Sequence, residues 1–238
     1  NDTNSVTITI KPVSTSISQD TSICSGDSAI LRASGGGTYS WSPSSTLSNS
    51  NLPTTIANPT SNTKYNLLIT TPSGCFVKDS ITVSMLYPPT PVLSSDVTKC
   101  AGQSTVLFAS GASSYLWYPN IGLSSFTSAT VVSTTSNTTK YFVDFINTCG
   151  TLTDSVTVTI VNIKAQSSED DTICYDESIQ LWATGGDTYS WTPAVYCTTP
   201  NNDTTYVNPP NPIRSRVIVD SSGCSDTSYT FINFTPKP

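Results

Sequence analysis

Short runs of alternating apolar and polar residues recur along the chain, and their phase is the first structural signal. In Ala29-Ile30-Leu31-Arg32-Ala33 the positions Ala29, Leu31 and Ala33 fall on one face, as period-two spacing requires of a half-buried strand. The same phase returns at Thr105, Leu107, Ala109 and again at Ile179, Leu181, Ala183. A second predicted strand carries the Tyr-x-Trp-x-Pro run. A third is led by Tyr65 to Ile69 and Tyr141 to Phe145, matched by Val217 to Val219. A closing strand buries Ile81, Val83 and Met85 in one place and Val156, Val158 and Ile160 in another, with Ser and Thr facing outward. Val6, Ile8 and Ile10 repeat that closing pattern. They read as the last strand of a repeat lying mostly upstream, so the natural protein is expected to extend beyond Asn1.

These runs belong to an internal repeat. Tyr39-Ser40-Trp41-Ser42-Pro43, Tyr115-Leu116-Trp117-Tyr118-Pro119 and Tyr189-Ser190-Trp191-Thr192-Pro193 each place the Trp 17 residues after a Cys, namely Cys24, Cys100 and Cys174. A second Cys follows the Trp by 34, 32 and 33 residues at Cys75, Cys149 and Cys224, giving a period of 74 to 76. Several short strands with turn signals in so short a period predict an all-β fold, a tandem array of small Ig-like or PKD-like β-sandwiches with one disulfide each. The expected division is 1–12 for the closing strand of a preceding repeat, then 13–88, 89–163 and a divergent third repeat at 164–238. Prolines mark the junctions near Pro12 and at Tyr87-Pro88-Pro89-Thr90-Pro91, whereas Val161 to Ser168 has none and is expected to hinge more. Units that touch only their neighbours predict an extended rod.

Composition narrows the function classes. Ser and Thr make up about a third of the 238 residues, with 16 Pro and few helix formers, which favours strands and turns. Ten Lys and Arg, scattered along a chain of net charge −6, supply no basic stripe for nucleic acid. No apolar run of about 18 residues exists to span a membrane, and no cleavable signal segment or initiating Met is seen. Histidine is absent, which removes Ser-His-Asp and Cys-His nucleophilic machinery and His-ligated zinc.

Six of the seven cysteines form equivalent pairs. The simplest connectivity is within each repeat, Cys24–Cys75, Cys100–Cys149 and Cys174–Cys224, although sequence leaves the other pairings open. Both members stand at strand ends, so an end staple is expected. A unit of this size buries too little surface to be comfortably stable, and closing a loop of about 50 residues contributes roughly 4 kcal/mol in the chain-entropy model. Such bonds persist outside the cytoplasm, which places the chain in a secreted, cell-surface setting. Cys197, in a divergent loop from Ala194 to Pro212, is left over and reads as a free thiol, with an intermolecular bridge as the other reading.

The paired cysteines, the Tyr-x-Trp-x-Pro run, Ser-Gly-Cys and the following Asp-Ser-Ile-Thr-Val or Asp-Ser-Val-Thr-Val resemble a known repeat. It is similar to the PKD-like or Ig-like repeats of giant secreted surface proteins of Bacteroidetes, the gliding-motility-associated proteins, many of them type IX secretion substrates. That resemblance covers essentially the whole chain and implies stalks, adhesin shafts, surface filaments or spacers in secreted enzymes. It also implies O-glycosylation of Asp-Ser/Thr triplets, with candidate acceptors Ser28, Ser80, Ser155, Thr172 and Thr204; the same dipeptides are ordinary turn and strand-start residues. The third repeat departs from the pattern, with Ser215-Arg216 where the others lead with Tyr and with aromatics at Tyr229 and Phe231, which puts its register in question.

Three further features bear on chemistry and contacts. Glu169-Asp170-Asp171, with Asp176 and Glu177 nearby, is a candidate calcium site at the junction to the third repeat; a solvated acidic turn is the plainer reading. Arg32, Phe108 and Trp182 share one position, opposite Leu31, Leu107 and Leu181, and form a candidate contact face unless loops cover them. No catalytic residues are assigned, because paired carboxylates need a cleft that small sandwiches lack. No cofactor is otherwise implied. The expected function is a structural or adhesive extracellular protein whose repeats form a rigid stalk or filament shaft. Its partners would be neighbouring repeats, copies of itself or surface glycans, with no nucleic acid and no membrane span. The alternative is a carbohydrate-binding or accessory spacer module of a secreted hydrolase.

Overall fold

The computed structural model describes residues 14–235; the opening segment with Val6, Ile8, Ile10 and Pro12 lies outside them. Seven strands are laid out three times in the same order. The first set is β1 Ser16–Ile17, β2 Thr21–Cys24, β3 Ala29–Ser34, β4 Thr38–Ser42, β5 Thr54–Ala57, β6 Thr63–Thr70 and β7 Phe76–Leu86. The second is β8 Val92–Leu93, β9 Val97–Cys100, β10 Thr105–Ser110, β11 Ser114–Tyr118, β12 Thr130–Ser133, β13 Thr139–Asn147 and β14 Gly150–Val161. The third is β15 Gln166–Ser167, β16 Asp171–Ile173, β17 Ile179–Thr184, β18 Thr188–Thr192, β19 Thr204–Val207, β20 Ile213–Ser221 and β21 Cys224–Phe234.

Each set folds into two sheets, of three strands (β1-β3-β5 in the first) and four (β2-β7-β6-β4). The opening segment is shared between them: β1 pairs antiparallel with β3, whereas β2 crosses over and runs parallel to β7. The apolar alternation explains the layering, since Leu31, Leu107 and Leu181 point inward against Trp41, Trp117 and Trp191, all fully buried. Each indole nitrogen donates to a backbone carbonyl 11 residues on, Leu52, Ser128 and Asn202, at 2.9–3.0 Å. The Trp is thus a core residue with a satisfied polar edge, as burial of an indole requires. Glycine at the turn after β17 is a packing need: at Gly185, with φ +115°, a Cβ would stand 2.1 Å from the Lys164 carbonyl.

The described chain divides into two compact units. One holds the chain up to Thr90 together with Ile146–Leu152, and the other Pro91–Phe145 with Thr153 onward. The piece of the second repeat that joins the first unit is the tip of the β13–β14 hairpin, which carries Cys149.

The cysteine pairing differs from the expectation. Cys24 is bonded to Cys149 and Cys100 to Cys224, while Cys75, Cys174 and Cys197 are free. Pairing within a repeat is ruled out by the strands. Cys24 is in register with Leu86, the last residue of β7, whereas Cys75 immediately precedes its first. The 11 residues of β7 at about 3.3 Å each hold the two roughly 35 Å apart, several times the Cα separation a disulfide spans. Cys100 beside Val161 and Cys149 before Gly150 repeat the geometry, as do Cys174 after Ile173, which faces Phe234, and Cys224 at the start of β21. Both members do sit at strand ends, but at opposite poles, so each bond joins one repeat to the next.

The stretch from Ala194 to Pro212 is also more than a loop. It contains a 3-10 turn at Ala194–Tyr196 and strand β19, which pairs with β17 as β5 does with β3. The register of the third repeat holds through its sequence departures: Ser215 faces Thr230 where Tyr65 faces Ile81. Tyr229 and Phe231 point outward, so the aromatic turn of its closing strand leaves the buried face, Thr230 and Ile232, in phase.

Candidate functional site

The feature with the most chemical content is the joint between consecutive repeats. At the first, the Cys24–Cys149 bond lies beside the exit of β7, where Ser25 donates its N–H to the Leu86 carbonyl at 2.8 Å. The hairpin tip is held by a second contact, Asn147 donating through Nδ2 to the Tyr87 carbonyl at 3.0 Å. The Asn147 Oδ1 accepts from the Cys149 N–H at 2.8 Å, which shapes the tip for the bond. At the second joint Cys100 and Cys224 line one groove with Ala101, Val161, Lys164 and Asp226. Asp226 Oδ2 accepts the Ala165 N–H at 2.9 Å, and that hydrogen bond, with another from the Thr227 N–H, lowers its carboxyl below the ordinary value. Each joint therefore has two covalent connections, the linker peptide and a disulfide.

Cys197 has counterparts that sequence comparison of cysteines alone missed. It bridges to Val207 as Leu47 does to Ala57 and Leu123 to Ser133, so it fills an apolar edge-of-core position. It packs on the third core together with Tyr196, in the repeat that lacks the core tyrosine. Burial raises its thiol pKa, offset in part by a hydrogen bond from Thr205. A small apolar role explains it.

The acidic turn has a structural task in every repeat. Asp20, Asp96 and Asp170 accept the backbone N–H of Thr82, Thr157 and Phe231 at 2.7–2.8 Å, tying the opening segment to the closing strand. Asp171 accepts from its own neighbour Thr172, and among the described residues no three acidic or cysteine groups converge as metal ligands. Of the glycosylation candidates, Ser28 and Thr172 are exposed, and Ser80, Ser155 and Thr204 are half-buried.

Arg32, Phe108 and Trp182 lie exposed on the outer faces of the three-stranded sheets. Phe108 stands with exposed Val106 and Val132, and Trp182 with Tyr206 on the neighbouring strand, these two 46% and 49% exposed. Ile30 and Ile56 make the matching surface in the first repeat.

No family model matches the chain, and no curated protein does. Among solved structures, an I-band fragment of titin aligns over 93% of this chain and 99% of its own at 13% identity, with a TM-score of 0.57. A three-Ig titin structure carrying Glu-to-Ala changes aligns over the same shares at 11% identity and a TM-score of 0.56. Fold and neighbours together define the class: three immunoglobulin-like β-sandwiches in series.

Proposed function

We propose that the chain is a load-bearing segment of an extracellular stalk or filament shaft, without catalytic activity, whose repeats divide near residues 88 and 163. The observation that carries the reading is the placement of both disulfides across consecutive repeats. A bond that merely stabilised one sandwich would sit inside it. A bond beside the linker instead restrains bending there and takes load in parallel with the peptide. Because the two bonds interlock, tension entering at Cys24 passes to Cys149, back along the stretch to Cys100 and on to Cys224. About 150 of the residues between Cys24 and Cys224 are thus shielded from extension, a contour of roughly 500 Å at the reach of an extended chain. Structural disulfides of this kind support an extracellular location. The resemblance to Bacteroidetes surface repeats supports a cell-surface setting with type IX export and glycosylated Asp-Ser/Thr triplets.

Single-molecule stretching of the 238-residue chain from its ends tests this. Under oxidising conditions only the stretch from Cys100 to Cys149 extends between Cys24 and Cys224, and reductant releases the rest. Equal contour lengths with and without reductant would overturn the reading.

A second reading rests on Trp182 and Tyr206. Two half-exposed aromatics, diagonal neighbours on one sheet face, suit stacking on sugar rings, as in a carbohydrate-binding module. Quenching of tryptophan fluorescence by oligosaccharides, lost in Trp182→Ala, discriminates it from a bare shaft.

A further inference from the structure

The rule that pairs the cysteines leaves two of them complementary. Cys174 occupies the position of Cys24 and Cys100, one residue past Ile173 at the pole where the closing strand ends. Cys75 occupies the position of Cys149 and Cys224, at the hairpin tip where the closing strand begins. Where these positions are bonded, Cys24, Cys100 and Cys149 are half-buried and Cys224 is buried. Cys75 and Cys174 are exposed.

Their flanking residues point the same way. At the second joint Ala101 and Ser225, each next to its half-cystine, line one groove with the bond. The corresponding residues at the free positions are Tyr175 and Phe76, large aromatics left 62% and 65% exposed. Tyr175 lies 6.2 Å from Phe234, and the two rings line a recess with Pro210 and Pro212. The tip that carries Cys75 therefore bears an exposed aromatic, its ring flanked by Lys78 Nζ at 5.8 Å from the centroid, and the pole that carries Cys174 offers an apolar recess.

We propose that Cys174 and Cys75 are complementary halves of one further joint of this kind, so that the Cys174 pole takes a repeat with a Cys75-type tip. A second copy of this 238-residue segment can supply it, bonding its Cys75 to Cys174 and seating its Phe76 against Tyr175 and Phe234. This deepens the stalk reading and rests on it. The step joins the two sulfurs and removes both thiol protons and two electrons. A small-molecule disulfide such as oxidised glutathione accepts them by two successive thiol–disulfide exchanges and leaves as two thiols.

The test uses Cys75→Ser and Cys174→Ser forms of the 238-residue chain, each able to offer only one half, incubated with oxidised glutathione separately and mixed. The mixture is expected to give a covalent dimer, in severalfold excess over either variant alone, whose peptide map contains the Cys174–Cys75 link; the unaltered chain gives a ladder of longer species. A mixture that stays monomeric, or variants that dimerise as well alone as mixed, would overturn the proposal. The same maps report Cys24–Cys149 and Cys100–Cys224. If those are intact while no link forms between chains, the end-to-end joint alone falls. If they are absent, the stalk reading falls with it.

Discussion

Cys24 is bonded to Cys149, 125 residues further along, and not to Cys75 in its own repeat. A loop of that length is worth about 5 kcal/mol in the chain-entropy model, so the bond is a large contribution to holding the first repeat and the hairpin tip together. Because the two sulfurs act as one unit, Cys24→Ser and Cys149→Ser are expected to lower the denaturation midpoint by the same amount, and the double variant by no more than either. Cys75→Ser should leave it unchanged. Pairing within the repeat would make Cys75→Ser as costly as Cys24→Ser, so chemical denaturation of the four proteins decides between the connectivities.

The three free thiols are expected to react in a definite order. Cys75 and Cys174 are exposed, whereas Cys197 is half-buried against the third core and its pKa is raised by that burial. With a maleimide at neutral pH the first two label quickly and Cys197 only slowly. The raised value also fixes a sign. The folded state favours the neutral thiol, so its contribution is complete below the ordinary thiol pKa and is lost as pH rises through the higher folded value. Thermal stability should therefore decline in alkaline solution less in Cys197→Ala than in the parent, measured relative to each protein at neutral pH.

Ser215 is fully buried with its hydroxyl unpaired, at the place where Tyr65 and Tyr141 put a phenol that reaches Thr46 and Ile121. An unsatisfied buried hydroxyl costs about 1–3 kcal/mol, so Ser215→Ala is expected to stabilise the third repeat by about 1 kcal/mol. A denaturation curve shifted downward instead would mean that the hydroxyl has a partner.

Much of this architecture was legible because strand periodicity and a 17-residue Cys-to-Trp spacing are local properties, and local properties repeat visibly when a unit is copied. The inward row of Leu31, Leu107 and Leu181 and the three buried tryptophans followed directly. The cysteine connectivity was not legible, because it depends on which pole each strand end reaches. That is set by the parallel pairing of β2 with β7, a long-range choice without a sequence motif. The short strands β5, β12 and β19 were missed for a related reason. Thr55, Ser133 and Thr205 are polar residues buried at core positions, so the apolar alternation there is broken. Lys99 was hidden in the same way: it takes the place of Ile23 and Ile173, and its ammonium donates to the carbonyls of Gln103 and Thr135.

The recurring aspartate of the opening segment separates a structural role from a metal-binding one. Asp96 Oδ1 accepts the Thr157 N–H at 2.7 Å, and Asp20 and Asp170 do the same in their own repeats. What the fold needs there is an acceptor oxygen of the right length, whether or not it is charged. Asp96→Asn keeps that oxygen and should cost little, while Asp96→Ala strands a strand N–H and should cost about 1 kcal/mol. Asp170 has two acidic neighbours, Glu169 and Asp171, so it is the position where calcium would act if it acted anywhere. With the hydrogen bond as its task, Asp170→Asn should melt close to the parent, and neither protein should shift between millimolar calcium and a chelator. A calcium-dependent rise in melting temperature, lost in Asp170→Asn, would reassign the turn as a metal site.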